Sequence, residues 1–263
     1  MNTVTSKDGT AIAFDRSGDG PPIVMVGGAL STRRAAETLA GLLAPSFTVY
    51  AYDRRGRGDS GDMPPYAVER EVEDIYSLVE DAGGSAVAFG HSSGGVLALE
   101  AAAHILGITK VALYEPPFIV DASRAPLPDD YIERLTELAS TDRPGDAVEY
   151  FMITGPGVPA EAVASMKDAP FWSALEAVAH TLSYDGRIMG DQMAGTSLPS
   201  DRWASVTIPT LVIDGGASPL WLGNAAQGLV DALPDARRRT IEGQTHDVDP
   251  VLLAPVLEEF FAG

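Results

Sequence analysis

Gly90-His91-Ser92-Ser93-Gly94 joins an apolar run, Ala86-Val87-Ala88-Phe89, to a small-residue helical stretch that begins Gly95-Val96-Leu97. A serine hydroxyl can serve as a nucleophile when a sharp turn between a buried strand and a helix holds it at the edge of a sheet. So strained a turn leaves no room for a Cβ on the neighbouring residues. The Gly-x-Ser-x-Gly spacing between strand and helix meets both conditions, and Ser92 is read as the attacking residue. Ser93 is the weaker candidate, because the glycine that its own turn needs would fall at His91. A serine nucleophile requires a base, and the chain has four histidines. His246 alone lies near the C-terminus in a polar loop, after the strand-like Arg239-Thr240-Ile241 and before a last helix over 250–261. His91 is expected to pack or hydrogen-bond within the turn. His104 reads as a structural histidine, and His180 falls in a helical region where a ligand contact is not favoured.

These residues need a frame that brings them together. Short apolar runs at Ile23–Val26, Thr48–Tyr52, Ala86–Phe89, Lys110–Tyr114 and Thr210–Ile213 alternate with helical patterns at Ser31–Leu43, Ala67–Asp81 and Gly95–Leu106. That alternation predicts an α/β fold, a mostly parallel sheet with helices on both faces. Ligands of open parallel sheets bind beyond the carboxyl ends of the strands, which is where Gly28, Ser92, Glu115, Asp214 and the His246 loop all fall. Between Phe118 and Ser205 the pattern turns helical without strands, with apolar residues three or four apart over Asp129–Ala139, Ala147–Thr154 and Phe171–Leu182. The expected organisation is a core of 1–117 and 206–263 with a helical cap of 118–205. Phe118, Trp172, Met189 and Trp221 offer apolar surface for an acyl or alcohol pocket, with plain core packing as the competing role.

Several motifs together resemble the alpha/beta-hydrolase superfamily from end to end. Thr3–Ser6 and Ala11–Phe14 flank Asp8-Gly9 as an opening hairpin. Ile23-Val24-Met25-Val26-Gly27-Gly28 is similar to the strand that ends in the family's His-Gly turn. Tyr52-Asp53-Arg54-Arg55-Gly56-Arg57-Gly58-Asp59-Ser60 is similar to its Asp-x-Arg-Gly-x-Gly-x-Ser turn, and Pro209–Gly215 to the strand leading to the usual acid. The resemblance implies a triad in the chain order serine, acid, histidine, with His246 in the histidine slot. It also implies two backbone donors for the developing oxyanion, the N–H groups of Ala29 and Ser93.

The chain departs from the family pattern twice. Gly27-Gly28 replaces His-Gly, which leaves the backbone donors in place. Gly215-Gly216-Ala217-Ser218 puts Ser218 where the carboxylate normally stands, and a hydroxyl cannot stabilise an imidazolium as an anion does. The strand Lys110–Tyr114 ends at Glu115, and hydrolases resembling zearalenone lactonase take their acid from that position. They share the Gly-x-Ser-Ser-Gly elbow and an Ala-x-Pro-like segment, matched here by Ala217-Ser218-Pro219. Glu115 is therefore the expected acid, with Asp214 as the alternative and Asp247 or Asp249 behind it; a strand-end carboxylate capping the turn before Pro116-Pro117 is the structural role competing for Glu115.

Composition narrows the function classes. At 263 residues the chain can bury a large core. A net charge of −19 opposes nucleic acid and anionic lipid as partners. Arg33, Arg34, Arg54, Arg55 and Arg57 are read as solvated arginines, with a local basic patch as the alternative. The absence of cysteine removes thiol nucleophiles, disulfides and thiolate metal sites. No apolar run is long enough for a membrane span and no leader pattern stands at Met1, so a cytoplasmic location is expected. The expected function is cofactor-independent hydrolysis of a carboxylic ester or lactone of a small, mostly apolar molecule. The alternatives are a cofactor-free haloperoxidase or oxygenase, a carbon–carbon hydrolase, and a non-catalytic small-molecule-binding or biosynthetic accessory protein.

Overall fold

Strands whose residues are apolar on both faces can be stable only when helices cover both sides of the sheet. In the computed structural model, which describes residues 1–141 and 143–263, the central strands have this character. The strands are β1 (Asn2–Thr5), β2 (Ala11–Ser17), β3 (Pro22–Val26), β4 (Thr48–Tyr52), β5 (Ala86–His91), β6 (Ile108–Tyr114), β7 (Thr210–Gly215) and β8 (Ala236–Ile241). They form one sheet in the order β1-β2-β4-β3-β5-β6-β7-β8. The β1–β2 and β2–β4 pairs are antiparallel, and every later pairing is parallel. Helices α1 (Glu37–Leu43), α2 (Val68–Asp81) and α3 (Ser93–His104) lie between the first six strands, and α9 (Leu220–Ala232) and α10 (Pro250–Ala262) flank β8. Between β6 and β7 run α4 (Tyr131–Ser140), α5 (Pro144–Thr154), α6 (Ala160–Met166), α7 (Trp172–Val178) and α8 (Leu182–Met189).

Side-chain capture explains where the helix limits differ from the sequence pattern. A helix was expected from Ser31, but Arg33–Ala36 form a 3₁₀ turn and α1 starts at Glu37. The Arg33 amide donates to Asp53 Oδ1 at 2.7 Å, which holds the chain in a tighter turn. Likewise, the stretch expected as one helix over Phe171–Leu182 breaks into α7, a 3₁₀ turn at Ala179–Thr181, and α8. There Thr181 Oγ1 donates to Val178 O at 2.7 Å and accepts from Arg57 Nε at 3.0 Å. Helices α6 and α9, and α8 beyond Leu182, fall outside the helical stretches expected from the sequence.

The sheet is covered by two apolar clusters, one around α2, α3 and α9 and one around α1 and α10. The helical segment has a smaller core of its own, with Trp172, Leu135, Val148, Val163 and Leu182 buried together. Its flanks, however, belong to the sheet: Phe118 is 0% exposed against the Trp203 ring, with centroids 5.6 Å apart. Phe118→Ala should therefore cost about 3–5 kcal/mol of stability by cavity creation, measured by urea unfolding. A loss below about 1 kcal/mol would show that the site does not carry the packing load described here. Among the described residues, no helix is long and apolar enough to cross a membrane.

Candidate active site

Ser92 stands between the last residue of β5 and the first of α3 with φ 57° and ψ −128°, a conformation costly for a residue with a Cβ. Its neighbours must yield space. A Cβ on Gly90 would lie 2.6 Å from Gly95 Cα, and one on Gly94 would lie 2.5 Å from the Gly27 carbonyl oxygen. Among the described residues, the other non-glycine residues with positive φ are Leu30 (59°) and Glu115 (45°), in the turns that follow β3 and β6. Strain of this kind collects where surrounding contacts dictate an unusual direction for a side chain, and here it collects on one rim of the sheet.

The imidazole of His246 meets the expected carboxylate. His246 Nδ1 lies 2.8 Å from Glu115 Oε2, and Glu115 is 0% exposed. The other oxygen, Oε1, accepts from the Gly215 amide at 2.8 Å. A carboxylate only accepts, so Nδ1 carries the proton of this contact, and in the neutral ring Nε2 is then the nitrogen with the free lone pair. The alternative acid, Asp214, is not brought to the histidine. Its oxygens accept from Arg238 Nε and Nη2 at 2.9 and 2.8 Å and from Thr240 Oγ1 at 3.0 Å. Asp249 instead caps α10 through Val251 N at 2.9 Å. Ser218 Oγ is buried with no hydrogen-bond partner among the described residues.

The backbone of the His246 loop is held by two side chains at the ends of neighbouring strands. His91 Nε2 donates to the His246 carbonyl at 2.9 Å, and the Tyr114 hydroxyl donates to the Thr245 carbonyl at 2.6 Å. The His91 ring also lies on Tyr114, with centroids 5.6 Å apart. Burial, reinforced by neighbouring His246, pushes the His91 pKa down to about 4, so this ring is neutral in the folded protein. The unfolded chain takes up that proton near pH 6.5, so stability should fall as pH drops from about 6.5 to about 4. Between pH 7 and pH 5 the loss should be on the order of 2 kcal/mol in urea titrations, and His91→Gln should flatten it. An equal slope in the variant would assign the pH dependence to other groups.

Four of the five arginines expected to be solvated are not: Arg54, Arg55 and Arg57 in the loop after β4 are buried, and the Arg33 side chain is 9% exposed. Arg54, Arg55 and Arg57 are 2%, 0% and 1% exposed. Arg55 pairs with Asp74 at 2.7 Å, and Arg54 grips both oxygens of Glu71 at 2.7 Å. Arg54 and Arg57 each donate to Asp185 of α8 at 2.7 Å, and the Ser93 hydroxyl donates to Asp185 Oδ1 at the same distance. Burial alone would raise the Asp185 carboxyl, but Arg57, Arg54 and the Ser93 hydroxyl hold it below the usual range. Arg57 Nη1 also donates to the Gly28 carbonyl at 2.6 Å, which fixes the turn after β3. The Ser93 hydroxyl is thus engaged, whereas Ser92 Oγ has no hydrogen bond among the described residues. Neither do the Ala29 and Ser93 amides, which leaves two N–H donors available beside Ser92. Arg33 is paired with Asp15 and Asp59, and also with Asp53, while Arg34 is exposed.

Ser92, His246, Ala29 and Ser93 line one cavity of about 560 Å³ between the sheet rim and the helical segment. Of the apolar residues expected in the pocket, Met189 and Trp221 line it. Phe118 and Trp172 do not. Phe118 is buried under the sheet core, and Trp172 is packed inside the helical segment with Nε1 donating to Glu176 at 3.0 Å. His104 is exposed at the end of α3, and His180 lies outside the cavity, 4.0 Å from Asp62. Among the described residues, no three His, Asp or Glu side chains converge as metal ligands.

Asp185 escaped sequence reading, although one signal was present. It shares a helical face with Leu182, Ile188 and Met189, and an acid among apolar residues at that spacing demands a buried cation.

Comparison with known proteins agrees with this architecture. A family model described as the alpha/beta hydrolase family matches residues 23–258. A curated non-heme haloperoxidase from Rhodococcus erythropolis is 26% identical over 264 residues, covering 94% of this chain and 93% of that protein. The crystal structure of an alpha/beta hydrolase from Sphaerobacter thermophilus is 58% identical with a TM-score of 0.92, covering 99% of this chain and 100% of that one. The enol-lactonase of Burkholderia xenovorans shares the fold at 21% identity and a TM-score of 0.73, with 100% of each chain covered.

Proposed function

The chain belongs to the alpha/beta hydrolase family, and from that premise we propose that it is a cofactor-independent serine hydrolase acting on a carboxylic ester or lactone of a small, mostly apolar molecule. The observation that carries this reading is the His246–Glu115 pair at 2.8 Å, its acid anchored by the Gly215 amide and its imidazole on the cavity that Ser92 also lines. Ser92 attacks the carbonyl carbon as His246 Nε2 takes the hydroxyl proton. The Ala29 and Ser93 amides hold the oxyanion, each worth about 3 kcal/mol of barrier. His246 then gives its proton to the departing alkoxide, and the acyl group remains on Ser92. Water, deprotonated by the same nitrogen, attacks the acyl-enzyme and releases the acid.

In this role Glu115 fixes the imidazole tautomer and stabilises the imidazolium formed at each transfer. The helices between β6 and β7 act as the cap, and Met189 and Trp221 receive the apolar part of the substrate. Similarity to the Rhodococcus haloperoxidase supports a second reading, halogenation or oxygen transfer at the same rim. Turnover of p-nitrophenyl esters and simple lactones, followed by identification of the products, separates the two. Stoichiometric acid and alcohol without added halide or peroxide is the expected result. Halogenated product in place of hydrolysis would favour the second reading.

A further inference from the structure

Buried or half-buried arginines in this protein have acidic partners: Arg54, Arg55 and Arg57 as described, Arg202 with Glu100, and Arg238 with Asp214. Arg124, on the link from β6 to α4, differs. It lines the cavity that holds Ser92 and His246 and is the one Lys or Arg among the described residues to do so. No carboxylate pairs with it among the described residues. Its Nη2 donates to the carbonyls of Thr154, at 3.0 Å, and Gly155, the last acceptors of α5. Its guanidinium lies over the Trp221 ring, 4.4 Å from the centroid, so it is steadied between α5 and the first turn of α9. Nε and Nη1 have no acceptor among the described residues.

Half-burial costs a cation hydration, and burial pushes the Arg124 pKa down from its usual range. A chain with 37 acidic residues has a ready supply of partners, yet none closes on this guanidinium. The acids that share the cavity wall do not offset it. Asp185 is neutralised by Arg54 and Arg57, and Asp129 and Asp191 line the cavity as solvent-exposed residues with no ion pair to Arg124. The remaining wall is largely apolar, with Leu127, Ile132, Phe151 and Met189. A cation held by two backbone carbonyls and an aromatic face, with donors left over in an apolar cavity, is suited to an anionic oxygen of a bound ligand.

Resting on the reading of Ser92 as an ester-cleaving centre, we propose that Arg124 forms a carboxylate subsite. The substrate is then an ester or lactone whose apolar body carries a free carboxylate remote from the scissile carbonyl. Binding can be read without turnover in Ser92→Ala, by calorimetric titration with the monoethyl esters of succinate, adipate and suberate against ethyl butyrate, hexanoate and octanoate. At least one acid ester should bind on the order of 10- to 100-fold more tightly than its neutral counterpart. Arg124→Gln in the same background should erase that ratio, and Arg124→Lys should keep a preference of the same sign. In the Ser92-containing enzyme, the kcat/KM ratio of acid to neutral ester should fall by a similar factor on Arg124→Gln. Neutral esters bound as tightly as acid ones by Ser92→Ala, or a ratio untouched by Arg124→Gln, would overturn the subsite. A subsite that binds in Ser92→Ala while the Ser92-containing enzyme cleaves no ester would instead defeat the hydrolase reading alone.

Discussion

Ser92→Ala should lower kcat for an activated ester by about 10⁵-fold or more, and His246→Ala should do nearly as much. The double variant should lose little beyond either single one, because a nucleophile without its base and a base without its nucleophile are equally idle. Residual rate above water, on the order of 10³-fold, should persist from the two backbone donors and from binding. The fold should tolerate the serine change, since alanine keeps the same Cβ in the same strained turn. Equal unfolding midpoints for Ser92→Ala and the unmodified protein would show that the lost rate is chemical. If the singles multiplied in the double variant, the two side chains would not be working as a unit.

Glu115→Gln should lower kcat by about 10⁴-fold, whereas Asp214→Asn should cost less than about tenfold. The amide keeps the shape of the carboxylate and can still accept from Gly215, but its NH₂ facing Nδ1 would favour the wrong imidazole tautomer and supply no charge for the imidazolium. Asp214 is committed to Arg238 and Thr240, so its loss should register chiefly in stability. Arg238 can turn to solvent, and that loss should be about 1 kcal/mol. Steady-state kinetics of the two variants side by side decides the matter. The reverse order of losses would give the acid role to Asp214.

The residues that were legible in the sequence sit where local pattern and chemistry coincide. The elbow glycines flank Ser92 in a recognisable spacing, and Glu115 and His246 each follow a strand, so each could be placed on the rim from its own segment, while the acid role of Glu115 came from the family resemblance. The Glu115–His246 contact spans 131 residues, yet a parallel sheet brings strand ends to one rim without further information. Asp185 could not be found in the same way. Its partners Arg54 and Arg57 lie 131 and 128 residues away, and their burial depends on how α8 docks, which helical periodicity does not report. For the same reason the four apolar pocket candidates could not be told apart from core residues. Phe118, Trp172, Met189 and Trp221 look alike as apolar positions, and only the docking of the helical segment decides that Met189 and Trp221 reach the cavity while Phe118 and Trp172 fill cores. Arg124 was invisible because its distinction is a missing partner, which a sequence cannot show.

Reaction with a fluorophosphonate ester, followed by peptide mass mapping, tests the acyl-transfer centre most directly. One phosphonyl group should attach per chain, on the peptide that contains Ser92, with esterase activity falling in proportion to labelling. His246→Ala should label far more slowly. A label on another residue, or full activity surviving complete modification of Ser92, would contradict the account.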